Sequence, residues 1–241
     1  MSRTPGANGD ETRRRIYSAA LRLFAQRGFA AVGIRDLARE AGLTAPSLYH
    51  YMGTKEDLLV DIMLSTITPL TNAGAELLES LERPEEQLAA LVELHVWVHG
   101  GRGTATLITD TELRALSGPQ AAHVMKARDR YEDLWRVVVD RGADAGIFDL
   151  ADARVATIAL LELCTGPAHW YRPGGRLSLM ELCEVHADLA LATVCARRDG
   201  TRIRRAGLTL PRPDTRLPLE LIGPDVQVAS PLVITSPEGP P

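Results

Sequence analysis

Apolar residues recur along the first two hundred positions of the chain at the three- and four-residue spacing of an amphipathic α-helix. The first of these stripes ends before Gly28 and has five members, Ile16, Ala19, Ala20, Leu23 and Phe24. Similar stripes continue to about residue 198, separated by short segments rich in glycine and proline. They predict nine helices and no convincing strand before residue 200, so the expected fold class is all-α.

Residues 33–52 contain two short apolar stripes that are separated by a four-residue turn, Ala41-Gly42-Leu43-Thr44. Gly42 is the usual residue for ending a helix in the left-handed conformation, and Thr44 is a good N-cap for the helix that follows. This arrangement is typical of a helix-turn-helix, in which the second helix enters the major groove of DNA and its first residues meet base edges.

Residues 54–57, Thr-Lys-Glu-Asp, have the form of a capping box and predict the start of a long fourth helix. Pro69 is expected to bend or break this helix, because proline lacks the N–H that an interior helical position donates. Eight of the fifteen prolines lie in the last 31 residues, which is typical of chain that forms no core. We therefore expect four parts: a disordered N-terminus at 1–9; a DNA-binding domain at 10–69 with the helix-turn-helix at 33–52; a helical ligand-binding and dimerisation domain at 70–198; and a mostly disordered tail at 199–241, from which one segment could lie on the body.

The composition is that of an ordinary globular protein, with 45% apolar and 24% charged residues. No run approaches the ~20 apolar residues needed to cross a bilayer, and the basic N-terminal residues have no apolar stretch behind them. The three cysteines are odd in number and show no Cys-x-x-Cys spacing, which favours reduced thiols. We therefore expect a cytoplasmic protein without a membrane partner.

The net charge of −4 is unevenly distributed along the chain. Residues 1–64 hold nine basic and seven acidic residues, a charge of +2, and the remainder therefore carries −6. A mildly basic front end suits a protein that offers one end to phosphates, although the asymmetry is small.

The sequence contains no catalytic constellation. Gly-x-Ser-x-Gly, a Walker Gly-Lys-Ser/Thr and His-Glu-x-x-His are all absent, and Gly100–Gly103 lacks the lysine of a phosphate-binding loop. Glu184, His186 and Asp188 are two residues apart and point in different directions on a helix. Neither an enzyme nor a cofactor is expected.

His95 and His99 lie one helical turn apart, a spacing that can bind metal, but no acidic residue or cysteine completes a set nearby. No metal is expected, and these histidines belong either to the core or to a pocket. The same choice applies to a set of mainly aromatic residues, which singly favour the core and together favour an elongated apolar pocket. The candidate pocket residues are His95, Trp97, His99, Leu107, Tyr131, Trp135, Cys164 and His169.

The last two predicted helices are apolar on more than one face. Burial within one subunit needs a single face, so the second face predicts a four-helix interface between two copies of the chain. The residues concerned are Val155, Ile158, Leu160, Leu161 and Leu163 on the first helix, and Leu182, Val185, Leu189 and Leu191 on the second.

Six stretches of the N-terminal region keep the spacing of a known family without gaps: Ala19–Phe24, Gly28-Phe29, Ile34–Ala38, Ala41–Leu43, Leu48-Tyr49 and Lys55–Leu59. Through them, residues 10–69 resemble the DNA-binding domain of the TetR/AcrR family of one-component bacterial repressors. The resemblance implies an all-α protein with an N-terminal three-helix DNA-binding domain and a C-terminal helical domain that binds a ligand and forms a homodimer.

The resemblance also assigns DNA-contacting positions. Arg35 lies in the first turn of the second helix, where the family can reach a base or a phosphate, and a bidentate contact to guanine would contribute ~1–3 kcal/mol of discrimination. Lys55, at the start of the fourth helix, fits a phosphate clamp assisted by the helix dipole. Gly33 stands where many members have serine or threonine, so affinity is expected to depend more on Arg35, Lys55 and the Arg13–Arg15 cluster. The full expected set is Gly33, Arg35, Thr44, Ala45, Pro46, Ser47, Tyr49, His50, Tyr51 and Lys55.

Three stretches of the second half, Ala127–Glu132, Cys164–Pro167 and Trp170–Ser178, look like a subgroup that governs fatty-acid and steroid catabolism and senses acyl-CoA thioesters. The expected function is therefore a ligand-responsive repressor of a nearby operon. Its partners would be a palindromic double-stranded operator and an apolar or amphipathic effector, with an acyl-CoA as the first candidate. The alternative is a helical interaction module that does not bind DNA.

Overall fold

A computed structural model of the protein describes residues 5–221, which are predominantly α-helical. Nine helices in this range have eight residues or more, in agreement with the prediction: α1 Pro5–Arg27, α2 Ile34–Ala41, α3 Ala45–Met52, α4 Lys55–Ser80, α5 Pro84–Gly101, α6 Gly103–Thr111, α7 Gly118–Asp144, α8 Ala153–Thr165 and α10 Leu179–Thr193. Two single turns, α9 Pro167–Trp170 and α11 Pro213–Arg216, complete the α-helices, and β1 Arg197–Arg198 pairs with β2 Thr201–Arg202 in a small antiparallel hairpin. The predicted all-α fold class is confirmed.

Helix α1 begins at Pro5, so the predicted disorder of residues 1–9 is wrong for residues 5–9, and residues 1–4 lie outside the described range. Proline is well suited to the first turn of a helix, because the N–H it lacks would have no partner there. Two ion pairs at i, i+3 spacing support the following turns: Arg13 with Asp10 at 3.7 Å, and Arg14 with Glu11 at 3.4 Å.

Helix α4 continues through Pro69 to Ser80, so of the two predicted effects of this proline, a bend or a break, the break is wrong. An interior proline costs a helix ~3 kcal/mol, but burying one large aliphatic side chain contributes ~1.5–3 kcal/mol. Ile67 and Leu70 are both buried beside Pro69, and together they offset its effect.

Within residues 5–221, α4 is the one helix that is long and apolar enough to cross a membrane. Its apolar window is 56% buried inside the protein, and a core helix that packs on its neighbours meets the same criterion of length and composition.

The buried side chains form two hydrophobic cores that meet on α4. The first core comprises α1–α3 and α4 as far as Ile67, and the second begins on α4 at Leu70 and includes α5, α7, α8 and α10. Helix α6 and the start of α7 belong to the first core, through Ala105, Ile108 and Val124. The N-terminal head of α1–α3 is therefore completed by elements that lie far along the sequence.

Residues 197–219, here called the C-terminal strap, lie along α5. Leu208 and Leu217 are buried, and the indole N–H of Trp97 donates to the carbonyl of Leu217 at 3.1 Å. The prediction of a mostly disordered tail is therefore wrong for residues 199–221, while residues 222–241 lie outside the described range. The strap is ordered because its apolar residues and arginines find partners on the body.

Two buried carboxylates of α5 are paired with arginines of the strap. Arg198 donates to Glu85 at 2.6 Å, and Arg205 donates to Glu93. The acidic side chains are only 1% and 2% exposed, respectively. A carboxylate removed from water requires such a partner, so α5 and the strap depend on each other for stability.

Replacing Arg205 with leucine should destabilise the protein by about 3 kcal/mol, because Glu93 then stays buried without its partner. The matched control is Arg212→Ala, which removes an exposed arginine of the same strap from its 2.7 Å pair with Asp214 and should cost less than about 1 kcal/mol. Urea unfolding at constant pH measures both changes, and equal losses for the two variants would contradict a strap held by buried charge.

Candidate nucleic-acid interface and internal cavity

Helices α2 and α3 form a helix-turn-helix whose turn has the predicted caps. Gly42 adopts φ +66°, and the N–H of Leu43 donates to the carbonyl of Ala38 at 2.8 Å. The hydroxyl of Thr44 accepts the N–H of Ser47 at 3.3 Å and so caps α3. Leu48 is fully buried and fixes α3 against the head. The predicted helix-turn-helix is confirmed, because each cap and anchor stands where the sequence placed it.

Helix α3 turns one face to the core and the other to solvent. Tyr49 is 51% exposed, and Pro46, Ser47 and His50 are exposed as well. Ala45 and Tyr51 are half-buried against the head, and the Tyr51 ring meets the His50 ring edge-on at 5.4 Å. The solvent face therefore offers the hydroxyls of Ser47 and Tyr49, the Tyr49 ring and the His50 imidazole on one short helix.

Gly33 and Arg35 lie at the start of α2, beside this face. Gly33 is the N-cap with φ −92°, and its N–H reaches the Asp36 carboxylate at 3.4 Å. Arg35 is exposed in the first turn. The side chain of Asp36 also accepts from Arg39 at 2.5 Å, so that arginine is partly neutralised while Arg35 lies in solvent.

The structure gives Lys55 contacts within the head that the sequence did not predict. Its ammonium donates to the carbonyls of Phe29 at 3.0 Å and Val32 at 2.9 Å, and it lies 4.1 Å from the centroid of the Phe29 ring. An ammonium has three donors, and two of them are used within the head. Lys55 therefore ties the start of α4 to the segment before α2, and the predicted phosphate contact, for which one donor is left, stays a prediction.

The Arg13–Arg15 cluster does not present one basic patch. Arg13 and Arg14 pair with acidic residues of their own helix, as described above. Arg15 donates to the carbonyls of Ala41 and, at 3.3 Å, Gly42. It therefore satisfies the last carbonyls of α2, which lack partners within the helix, and holds the helix-turn-helix on α1.

A cavity of about 380 Å³ lies between α4, α5, α6, α7, α8 and α9. Its wall combines threonines, histidines, carboxyl groups and aliphatic side chains: Thr66, Ile67, Leu70, His95, His99, Thr106, Thr109, Asp110, Thr111, Arg128, Tyr131, Glu132, Ile158, Leu161, Glu162, Thr165 and His169. Four predicted pocket residues line it, namely His95, His99, Tyr131 and His169.

The other four predicted pocket residues do not line this cavity. Trp135 and Cys164 are completely buried in the second core. Trp97 lies between the two cavity histidines in sequence and therefore faces away from them, towards the strap. Leu107 is half-buried on α6 and is not part of the wall.

Sequence reasoning missed the contributions of α4 and α6 to the cavity. Thr66, Ile67 and Leu70 of α4 were not among the predicted pocket residues, although they line the cavity. On α6, Thr106 and Asp110 are four residues apart and share a face. Two polar residues on one face of a short helix could have indicated that this face lines a polar cavity.

Burial keeps the two cavity histidines of α5 uncharged. The His95 ring nitrogens lie 3.0 Å from the Tyr131 hydroxyl and 3.2 Å from the Thr165 hydroxyl. The Nδ1–H of His99 donates to the His95 carbonyl at 3.0 Å, and the two imidazoles stack at 3.8 Å. Burial lowers the pKa of His95 well below its usual value and lowers the pKa of His99 to about 4. Both rings are therefore neutral at physiological pH.

The pKa of the Asp110 carboxyl, also at the cavity wall, shifts in the opposite direction. Burial raises the pKa of Asp110 to about 7, with Arg128 opposing the shift and Glu162 adding to it. In the described part of the chain, no group of three or more His, Cys, Asp or Glu residues is arranged to hold a metal ion.

Hydrogen bonds connect the head to the elements around the cavity. Glu112, directly after α6, accepts the backbone N–H of Phe29 at 3.1 Å. Gln120 of α7 donates to Asp57 at the start of α4 at 2.7 Å. These two contacts join the head to α7 and to the end of α6, two helices that also line the cavity.

Comparisons with known proteins agree with this architecture. The family model described as "Bacterial regulatory proteins, tetR family" matches residues 16–62, and the one described as "Tetracyclin repressor-like, C-terminal domain" matches residues 81–194. The repressor KstR2 of Rhodococcus jostii strain RHA1 is 27% identical over 191 residues, which cover 78% of this chain and 92% of that protein.

Solved structures share the fold. The TetR family regulator PfmR from Thermus thermophilus is 30% identical with a TM-score of 0.67, and the match covers 74% of this chain and 97% of PfmR. AibR, crystallised with isovaleryl coenzyme A and operator DNA, has the same fold with a TM-score of 0.66 at 22% identity, over 74% of this chain and 97% of AibR.

The chain belongs to the TetR family of bacterial regulatory proteins. It is a DNA-binding transcriptional regulator with repressors among its relatives, and it is not an enzyme.

Replacing His99 with glutamine should reduce the acid sensitivity of the fold. The folded-state pKa of about 4 lies below the ordinary 6.5, so the unfolded chain binds an extra proton between these values and stability is lost as pH falls through this window. Glutamine does not titrate. The stability difference between wild type and variant should therefore shrink by roughly 2 kcal/mol from pH 7.5 to 5. Urea unfolding at several pH values measures it, and a constant difference would contradict a buried neutral imidazole.

Proposed function

We propose that the protein is a cytoplasmic, ligand-responsive repressor that binds a palindromic operator near its own gene as a homodimer. The observation that carries this proposal is the exposed polar-aromatic face of α3, presented by a helix-turn-helix whose supporting helix α4 also forms a wall of the cavity. The first residues of α3 and Arg35 of α2 would meet the major groove, and backbone amides and hydroxyls would meet phosphates.

Apolar side chains exposed on α8 and α10 support the homodimer. Val155 and Ile158 of α8 and Val185 and Leu189 of α10 are between 43% and 63% exposed in the single subunit. Pairing these helices with their symmetry copies would bury them in a four-helix interface. For the dimer to use two successive major grooves, the two α3 helices must lie about 34–36 Å apart.

An effector in the cavity would act on the head through α4 and α6. The cavity wall includes Thr66, Ile67 and Leu70 of α4, which continue directly from the turns of this helix that pack in the head. Binding changes operator affinity only to the extent that the effector prefers one arrangement of these helices over the other. Moving the population from 1:99 to 99:1 requires a difference of ~10⁴-fold in effector affinity.

The effector we propose is an apolar or amphipathic small molecule, with an acyl-CoA as the first candidate. The aliphatic part of the cavity wall, Ile67, Leu70, Ile158 and Leu161, suits an acyl chain. The structural neighbour AibR was crystallised with isovaleryl coenzyme A together with operator DNA, which supports testing short-chain thioesters first.

Operator binding should be steeply salt-dependent and should depend on Arg35 and Tyr49. We expect Arg35→Ala to weaken binding ~5- to 150-fold and to relax sequence preference, because a bidentate base contact would be lost. Tyr49→Ala should weaken binding more evenly across sequences. The control Arg136→Ala, an exposed arginine of α7 far along the chain from the head, should have no effect.

Fluorescence anisotropy with DNA from upstream of the gene, measured at several salt concentrations, tests this prediction. Binding that ignores salt, or that survives both head substitutions unchanged, would refute the assignment and leave the helical interaction module as the alternative.

A further inference from the structure

Two buried polar atoms in the cavity wall have no hydrogen-bond partner in the protein. Within the described residues, four buried side-chain atoms are in this state, and two of them, Thr66 Oγ1 and Asp110 Oδ2, belong to cavity residues. A buried polar group without a partner costs more than an ordinary hydrogen bond contributes, so such groups in native proteins need a reason. Their position at a cavity suggests that a bound molecule supplies the partner.

Thr66 differs from other helical threonines nearby. The hydroxyls of Thr71, Thr106 and Thr109 donate to carbonyls one turn back on their own helices, at 2.8 to 3.2 Å. Thr66 is only 2% exposed and makes no such bond. Its hydroxyl is therefore available to form a hydrogen bond with another partner.

Several polar groups of the cavity wall are hydrogen-bond acceptors. Because Nδ1 of the neutral His99 ring donates to the His95 carbonyl, Nε2 is left as an acceptor. The Asp110 carboxyl adds a second acceptor whenever it is ionised. Three acidic residues, Asp110, Glu132 and Glu162, face one arginine, Arg128, around the cavity, and this balance disfavours an anionic group inside it.

We propose that the cavity recognises a hydrogen-bond donor head, a hydroxyl or an ammonium group, on an apolar body, with Asp110 of α6 accepting from the head and Thr66 of α4 completing its hydrogen bonds. This inference rests on the proposed function in treating the cavity as the effector site. A hydroxyl group can donate to Asp110 and accept from Thr66, so its chemistry matches both side chains. In an acyl-CoA series, the cavity would therefore prefer a hydroxylated acyl chain, with the anionic coenzyme portion outside.

A matched series of eight-carbon probes tests the inference by calorimetry on the free protein at pH 8, where Asp110 is largely ionised. Octan-1-ol and octylamine should bind at least tenfold more tightly than octan-2-one and octanoate, because the latter two cannot donate to Asp110. Whichever donor binds more tightly identifies the alcohol or the amine as the source of the head. Ketone or carboxylate binding as tight as that of both donors would overturn the proposal.

Substitutions assign the effect to the two side chains. Asp110→Leu should reduce the preference for alcohol over ketone to less than about twofold, and Thr66→Val should weaken alcohol binding several-fold. Thr71→Val, on the same helix but with its hydroxyl already donated to Ile67, should change nothing. Thr66→Val removes an unpaired buried group, so it should not lower the thermal unfolding midpoint. A preference that survives Asp110→Leu would overturn the proposal.

Operator binding, measured in a separate experiment, distinguishes a failure of this inference from a failure of the proposed function. Donor-selective binding that leaves operator affinity unchanged would support this inference and contradict the proposed regulation. If probes release the operator with no preference for hydrogen-bond donors, the proposed regulation would be supported and this inference contradicted.

Discussion

One continuous helix, α4, belongs to both hydrophobic cores and joins the head to the cavity. Helix α4 has 26 residues and so spans about 39 Å. Its first turns pack in the head, its middle forms part of the cavity wall, and its last turns lie in the second core. Because α4 packs in the head and also lines the cavity, a change at the cavity must be accommodated at the head or resisted by packing. Pro69, where one backbone hydrogen bond is missing, lies at the junction of the two cores.

Helix α6 is the second connection between cavity and head, and it differs from α4 in kind. One of its faces packs in the head through Ala105 and Ile108, and the other offers Thr106 and Asp110 to the cavity. The residue that follows it, Glu112, binds the backbone of the head. Through these two connections, α4 and α6, the head packs on helices that also line the cavity, although α6 lies far from the head in the sequence.

Local signals were sufficient to predict the DNA-binding head from the sequence. Gly42 and Thr44 act through their own backbone geometry and caps, and the buried face of α3 follows from helical spacing alone. The role of Lys55 could not be predicted, because its partners are carbonyls of a turn more than twenty residues away. Its position at a helix start fitted a phosphate contact equally well.

Cavity-lining residues could be predicted from the sequence only where helical periodicity determines which face of a helix a side chain occupies. His95 and His99 share a face, and both line the wall. Trp135 follows Tyr131 by one turn and has the same periodicity, yet it lies deeper, and depth is set by neighbouring helices that the sequence does not locate.

The order of the strap was predicted only in part, as one tail segment that could lie on the body, and the reason is similar. Proline-rich composition is typical of disorder, whereas the charges that hold residues 198 and 205 lie more than one hundred positions earlier, on α5. Pairings at that separation leave no local pattern.

Hydrogen–deuterium exchange on the full protein, with and without its operator DNA and with no effector present, tests the shared-helix claim most directly. We expect operator binding to slow exchange of backbone amides in α2 and α3. Exchange should also slow in two cavity segments, residues 62–70 of α4 and residues 103–111 of α6. Exchange in the strap should not change. Protection confined to residues 34–55, with both cavity segments unaffected, would contradict the claim that head and cavity move as one mechanical unit.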